Sequence, residues 1–200
     1  MTDTLSQLAT RHNTDKGPSC HNYTRVYETM FEGIRQESLK ILEIGVLDGG
    51  SVRMWSDYFP NAEIHGIDVN KDCSVFADDR ITIHIGDQGD RRFLESIGID
   101  FDIVIDDGSH RVSDQITSFK VLWPTTRLIY IIEDVYTSYL PMYGGGYRRS
   151  GTCVEFFKDL LDDMNVSRFK DKPTHGLPRT YDNIASMQFQ PALISVYKGK

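Results

Sequence analysis

Short apolar runs recur along the chain, and most of them end in an acid or a glycine. LKILEIG at 39–45, AEIHGID at 62–68, ITIHIG at 81–86, FDIVID at 101–106 and LIYIIE at 128–133 have the length and β-branched content of buried strands. Between them, SVRMWSDYF at 51–59, QGDRRFLESIG at 88–98 and RVSDQITSFKVLW at 111–123 carry apolar residues at helical spacing. Upstream, residues 22–37 space Tyr23, Val26, Tyr27, Met30, Phe31 and Ile34 as one face of an amphipathic helix, and the first 20 residues read as polar and turn-rich. Downstream, 137–151 (TSYLPMYGGGYRRSG) reads as a long mobile loop, 152–165 as a helix and 172–183 as a polar stretch. IASMQF and ALISVYKG, joined through Gln190-Pro191, read as a hairpin.

Strands alternating with helices predict a parallel sheet covered on both faces, so the expected class is α/β, a Rossmann-like doubly wound sheet with a C-terminal antiparallel hairpin. A single domain over 1–200 is expected. It divides into an N-terminal segment and helix (1–37), a core (38–135), a lid loop (136–151) and a C-terminal helix and hairpin (152–200).

Composition removes several function classes. A net charge of −7 with scattered Lys and Arg argues against a nucleic-acid partner. Cys20, Cys73 and Cys153 are odd in number and far apart, which suits neither a disulfide framework nor a zinc knuckle and fits a reducing compartment. No apolar leader opens MTDTLSQLATRHNTDKG and no run is long enough to cross a bilayer, so a cytoplasmic protein without a membrane partner is expected.

The candidate chemistry collects at strand ends. In LEIGVLDGGS (42–51), Gly45 permits a tight turn, and Gly49 and Gly50 let backbone approach a ligand at a helix start. The spacing is GxxxGG rather than GxGxxG, and Glu43 at the tip suits a ligand with a positive group better than a pyrophosphate. Asp68 ends the second strand, where an acid accepts from ribose hydroxyls. These residues point to a phosphate-free nucleoside cofactor, and S-adenosylmethionine fits best; a Gly-rich turn of any α/β domain is the plainer alternative. Asp87 and Gln88 follow the third strand, where they either meet an adenine edge or cap a helix. IDDGSH (105–110) and IIEDV (131–135) bring Asp107, Glu133 and Asp134 to neighbouring tips. Three such carboxylates repel unless protonated or joined by a cation, and oxygen ligands suit Mg²⁺, Mn²⁺ or Ca²⁺ rather than zinc. His110, three residues on, is a candidate general base, although a lone histidine at a helix start is more often a cap.

In this order, TDKG (14–17) with His21 and Tyr23, LEIGVLDGGSVRMW, HGIDVN, GDQGD, FDIVIDDGSH, IIEDVYTSY and GGGY resemble the class I S-adenosylmethionine-dependent methyltransferases. Within that class they are most similar to the Mg²⁺-dependent macrolide sugar O-methyltransferases of the mycinamicin, macrocin and rhamnosyl group. The resemblance implies metal ligands at Asp107, Glu133 and Asp134, a base at His110, and cofactor contacts from the Glu43–Ser51 turn (Gly45, Asp48, Gly49), Asp68, Asp87, Gln88 and Asp106. It implies transfer of a methyl group to a hydroxyl of a sugar or glycosylated natural product, and leaves a homo-oligomer open. PTTRLIY lacks the Gly-Gly usual before the fifth strand, and an extra N-terminal domain found in some relatives has no counterpart. A metal-dependent hydroxylase on the same fold, or a cofactor-binding homologue without turnover, are the rival readings. In the loop, Tyr139, Tyr143 and Tyr147 are candidates to stack on the acceptor.

Overall fold

A computed structural model describes residues 3–166, 181 and 183–199. Five parallel strands, β1 (Lys40–Ile44), β2 (Glu63–Asp68), β3 (Ile81–Ile85), β4 (Ile103–Asp106) and β5 (Ile129–Ile132), are joined by β6 (Ile184–Gln190) and β7 (Leu193–Lys198) in one sheet. The order is β3-β2-β1-β4-β5-β7-β6, with β7 antiparallel to both of its neighbours. The doubly wound sheet and terminal hairpin expected from the sequence are therefore both present. The order reverses beside β1, and in such sheets ligands bind in the crevice beyond the strand carboxyl ends at the reversal point.

Strand periodicity sorts the core into two layers. Ile41, Ile64, Ile103, Ile105, Ile129 and Ile131 face α1 (Leu5–Arg11), α2 (Thr24–Phe31) and α3 (Gly50–Tyr58), where Tyr27, Phe31, Trp55 and Phe59 fill the space between. Leu42, Ile44, Val104, Tyr130 and Ile132 face the other way, onto Phe119 of α5 (Val112–Leu122) and Phe157 of α6 (Cys153–Val166). Leu94 of α4 (Arg91–Ile97) belongs to that second layer. Cys20, Cys73 and Cys153 are free thiols. Among the described residues no helix is long and apolar enough to cross a membrane.

Two local expectations change. The opening segment contains α1, started by a capping box in which Thr4 and Gln7 satisfy each other's backbone N–H groups. Segment 137–151 is built from short 3₁₀ turns at Val135–Tyr139 and Pro141–Tyr143, pinned where Gly145 N donates to Leu140 O at 3.0 Å and Gly146 N to Ser138 O at 2.8 Å. The polar stretch 172–183 lies outside the described residues except for Tyr181 and Asn183.

Candidate functional site

The ladder of the sheet continues past the strand ends and builds the site. Gly45 N donates to Ile67 O, Asp107 N to Ile44 O and Glu133 N to Asp106 O, so three loops leave the sheet side by side. Gly45 has φ +95°, and a Cβ there would collide with the Asp107 carbonyl. A cavity of about 390 Å³ opens over this edge. Gly45, Asp48, Ser51, Asp68, Asp87 and Gln88 line it toward the switch point, and Asp107, His110 and Asp134 line it at the other end.

Within the pocket each expected cofactor residue has a defined anchor. Asp68 Oδ2 accepts from Val46 N at 2.9 Å and Leu47 N at 3.1 Å, and Oδ1 from Asn70 N at 2.8 Å. Partial burial pushes the Asp68 pKa up, but these three backbone donors outweigh it and hold the carboxyl below its ordinary range. Gln88 is buried between Asp106 Oδ1, to which its amide donates at 2.9 Å, and Ser109 N, from which it accepts at 2.6 Å. Asp87 accepts from Gly89 N at 2.8 Å, and the α4 cap is Asp90 instead. Asp48 accepts from Gly50 N at 3.0 Å. Gly49, at φ +75°, packs its bare Cα under the Phe76 ring.

Three expected cofactor residues are not in the pocket lining: Gly49, packed against Phe76, and Glu43 and Asp106 beneath it. Glu43 is fully buried, accepting from Ser51 Oγ at 2.6 Å and Trp55 Nε1 at 3.1 Å, and the positive group it meets is Lys16 of its own chain at 3.4 Å. Asp106 is also fully buried and accepts from Gln88, Ser118 and Tyr130 on the α5 side of the sheet. Burial raises both carboxyl pKa values.

Alternation within IDD sends Asp107 the opposite way, onto the α1–α2 face with Glu133 and Glu43. There the 1 % exposed Lys16 donates to Asp107 Oδ2 at 2.5 Å and Glu133 Oε1 at 2.9 Å. Burial alone would lower the Lys16 pKa, but attraction to Asp107, Glu133 and Glu43 outweighs it and holds the amine firmly protonated. Tyr27 also donates to Glu133, and Tyr23 to Asp134 Oδ1. The Glu133 pKa is raised, by burial first and by the charge of Asp107 second.

The oxygens left over form a candidate cation site. Asp107 Oδ1 and Asp134 Oδ2 face His110 Nε2 at 4.0 and 3.7 Å. One ligand atom from each of Asp107, His110 and Asp134 lies within 4.8 Å of the others. Glu133, expected as the third carboxylate ligand, stands at the same strand tip beside Asp134 and is engaged by Lys16 and Tyr27. Two free carboxylate oxygens at the wall of an open pocket suit a hard divalent ion that keeps waters or an acceptor oxygen in its remaining positions. His110 and Asp134 have left-handed backbones, φ +57° and +52°, and His110 Nδ1 is buried without a hydrogen-bond partner among the described residues. Such strain at non-glycine residues concentrates at functional sites.

Residues the sequence reading assigned no role complete the walls. Asn13, Thr14 and Asp15 line the pocket, and Lys16, Tyr23 and Tyr27 cross-link the acids behind it. TDKG was the available signal, but nothing in its spacing tells that its lysine reaches strands 91 and 117 residues away. Of the loop tyrosines, the Tyr143 ring lies 6.4 Å from His110, edge to face, while Tyr139 and Tyr147 sit 6.3 Å apart and exposed.

No family model matches the chain. It is 39% identical over 82% of its length to an 8-demethyl-8-(2-methoxy-alpha-L-rhamnosyl)-tetracenomycin-C 3'-O-methyltransferase of Streptomyces olivaceus, covering 46% of that protein. It is 36% identical over 98% of its length to the mycinamicin VI 2''-O-methyltransferase of Micromonospora griseorubida, covering 53% of it. The chain thus spans about half the length of the curated relatives it matches. A crystal structure of MycE methyltransferase from the mycinamycin pathway, in complex with Mg and SAH, superposes with a TM-score of 0.93 at 34% identity, over 100% of this chain and 55% of that one. Sequence and fold agree, and the chain belongs to the family of the macrolide and tetracenomycin sugar O-methyltransferases, on the class I S-adenosylmethionine-dependent methyltransferase fold.

Proposed function

We propose that the chain carries an S-adenosylmethionine- and Mg²⁺-dependent O-methyltransferase activity toward a hydroxyl of a sugar on a small natural product. The observation that carries this reading is one cavity with the Asp68 nucleoside-type wall at one end and the Asp107–His110–Asp134 group at the other. One relative, MycE, solved with Mg and SAH and also with Mg, SAH and mycinamycin VI, supports it.

Asp68 would bind ribose hydroxyls, with Gly45 giving the cofactor close access to backbone and Asp87 and Gln88 bordering its base. Asp48, Gly49 and Ser51 shape the turn on which it rests. Glu43 and Asp106 act through others, the first by fixing Ser51 and the second by fixing Gln88. Asp107, Glu133 and Asp134 would hold the divalent ion. When bound, the cofactor supplies the methyl group and the ion acidifies and orients the acceptor hydroxyl. His110 Nε2, the imidazole nitrogen turned toward the acids, accepts the hydroxyl proton, and Asp134 Oδ2 at 3.7 Å steadies the imidazolium that forms. Tyr143, whose ring lies 6.4 Å from His110, would contact a sugar held there, and the exposed Tyr139–Tyr147 pair would stack on the acceptor's outer part.

Calorimetric titration with S-adenosylhomocysteine, with and without Mg²⁺, tests the reading on wild type, Asp68→Ala and Asp107→Ala. Wild type binds, Asp68→Ala binds more weakly, and Mg²⁺ changes binding only where Asp107 is intact. A chain that binds no S-adenosylhomocysteine under either condition is not a methyltransferase. A screen of glycosylated polyketides for methyl transfer then identifies the acceptor.

A further inference from the structure

The proposed base has a buried end that methyl transfer leaves unexplained. His110 Nε2 faces Asp134 Oδ2 at 3.7 Å and Asp107 Oδ1 at 4.0 Å, while its Nδ1 is buried without a hydrogen-bond partner among the described residues. Gln115, a residue with no exposed surface on the helix that His110 precedes, has its Oε1 in the same condition. We propose that Gln115 is the positioning residue of the base: its Oε1 accepts from His110 Nδ1–H, directly or across one buried water, and so fixes the tautomer that leaves Nε2 free to take a proton. The inference rests on the reading of His110 as the base and extends it.

Three observations carry it. The first is placement. Arg111 is the N-cap of α5, so His110 stands just before the cap and Gln115 is the fourth residue of the helix. Those two positions pack against each other at helix starts, where the pair is ordinarily apolar. Helical side chains also lean toward the N-terminus, which tilts Gln115 toward His110. The second is anchoring. Gln115 Nε2 donates to Glu133 O at 3.3 Å, and Thr137 Oγ1 lies 3.1 Å from His110 O and 2.8 Å from Asp134 O, so both residues are tied to the turn that leaves β5. With its nitrogen on that carbonyl, the other end of the amide is an acceptor, and a buried acceptor calls for a donor. The third is electrostatic. Carboxylates beside Nε2 favour a proton there, pointed at the acids, and an imidazole so arranged has no lone pair for the acceptor hydroxyl. An acceptor behind Nδ1 favours the opposite tautomer, because the bond made by one ring nitrogen decides which of the two holds the proton. Catalytic hydrogen bonds are often long before ligands are in place and tighten with them.

The test is nuclear magnetic resonance of the whole chain with ¹⁵N-labelled histidine, with and without Mg²⁺ and S-adenosylhomocysteine, at about pH 8, where imidazoles are ordinarily neutral. The His110 signals are those missing from His110→Asn. In wild type Nδ1 carries the proton, Nε2 is bare, and the ring shows cross-peaks to the Gln115 side chain. Gln115→Met keeps the length of the side chain, removes the acceptor and moves the proton to Nε2. With the acceptor that the substrate screen returns, its kcat falls by about tenfold or more while KM for the cofactor stays within about twofold. A packing role alone would lower the melting temperature and leave the tautomer in place. A proton on Nε2 in wild type, the same tautomer in both proteins, or an unchanged kcat in a variant whose tautomer has moved overturns the proposal. Should Gln115→Met not fold, wild type decides, since a His110 ring without contact to Gln115 overturns it equally. The spectra need neither acceptor nor turnover, so the two readings fail apart. Wild type with the expected tautomer and contact but no methyl transfer upholds the pairing and refutes the function.

Discussion

Asp106 and Asp107 are neighbours in sequence and belong to different parts of the molecule. The side-chain period of a strand sends one to each face, so one aspartate becomes core architecture and the other faces the pocket. The two therefore respond differently to loss. Asp106→Ala strips a partner from Gln88, Ser118 and Tyr130 together at a fully buried position, and is expected to cost about 2–4 kcal/mol of folding stability by urea denaturation. An Asp106→Ala protein as stable as wild type would show that its network is not structural. Gly45 is constrained in another way. Alanine there must adopt φ +95° and meet the Asp107 carbonyl, so Gly45→Ala is expected to cost about 2 kcal/mol or more and to weaken S-adenosylhomocysteine binding, read by calorimetry.

Among the elements, β2 and β3 carry a feature with a pH consequence. His65 and His84 stack at 5.3 Å, and His65 Nδ1 lies 3.0 Å from His84 Nε2. Glu63 and Lys40 border the pair. Burial lowers both imidazole pKa values, and the charge of His84 lowers that of His65 further. A histidine with a depressed folded-state pKa leaves the unfolded chain binding more protons, so its contribution is whole above about pH 6.5 and is lost as pH falls through the folded value. The melting temperature of wild type should fall as pH drops below about 6.5, and His65→Gln should flatten that fall; equal slopes would remove the pair as its source. The same strands show how far sequence reaches. Five apolar runs located β1 to β5: β1, β2, β4 and β5 are buried on both faces and need no partner information to be recognised, and the edge strand β3 keeps the β-branched run ITIHI. Helix α1 escaped because only Leu5, Leu8 and Ala9 of its seven residues are buried, although Thr4 and Gln7 stood at capping-box spacing before it. At the site, strand-end acids were legible as a group, because strand tips share an edge. Their division between cation, pocket and core was not, since it depends on Lys16, Tyr23 and Tyr27 crossing from the N-terminal segment.

At the scale of the whole molecule, that N-terminal segment ties folding to the site. α1 and α2 cover the face of the sheet on which Glu43, Asp107 and Glu133 emerge, and the chain between the two helices delivers Lys16 and the pocket wall at Asn13–Asp15. Leu5, Leu8 and Ala9 are the apolar seal of α1 against Tyr27, Trp55 and the sheet. Were α1 a loosely attached arm, cutting into that seal would free it locally and leave the remainder intact. Its burial argues for a single cooperative unit. Leu8→Ala removes a nearly fully buried side chain, 2 % exposed, and should cost about 2–5 kcal/mol, the range of large-to-small changes in packed cores. In urea the midpoint should fall with the slope of the transition unchanged, and tryptophan fluorescence and far-ultraviolet dichroism should lose their signals together. Because the same unfolding separates the strand tips that carry Asp107 and Asp134, Mn²⁺ binding should disappear in that one transition. An early fluorescence change at Trp55, which touches both Tyr27 and Glu43, preceding the loss of helix and sheet would instead show α1 opening alone. In that case Lys16 would part from Asp107 and Glu133 while the sheet stayed folded.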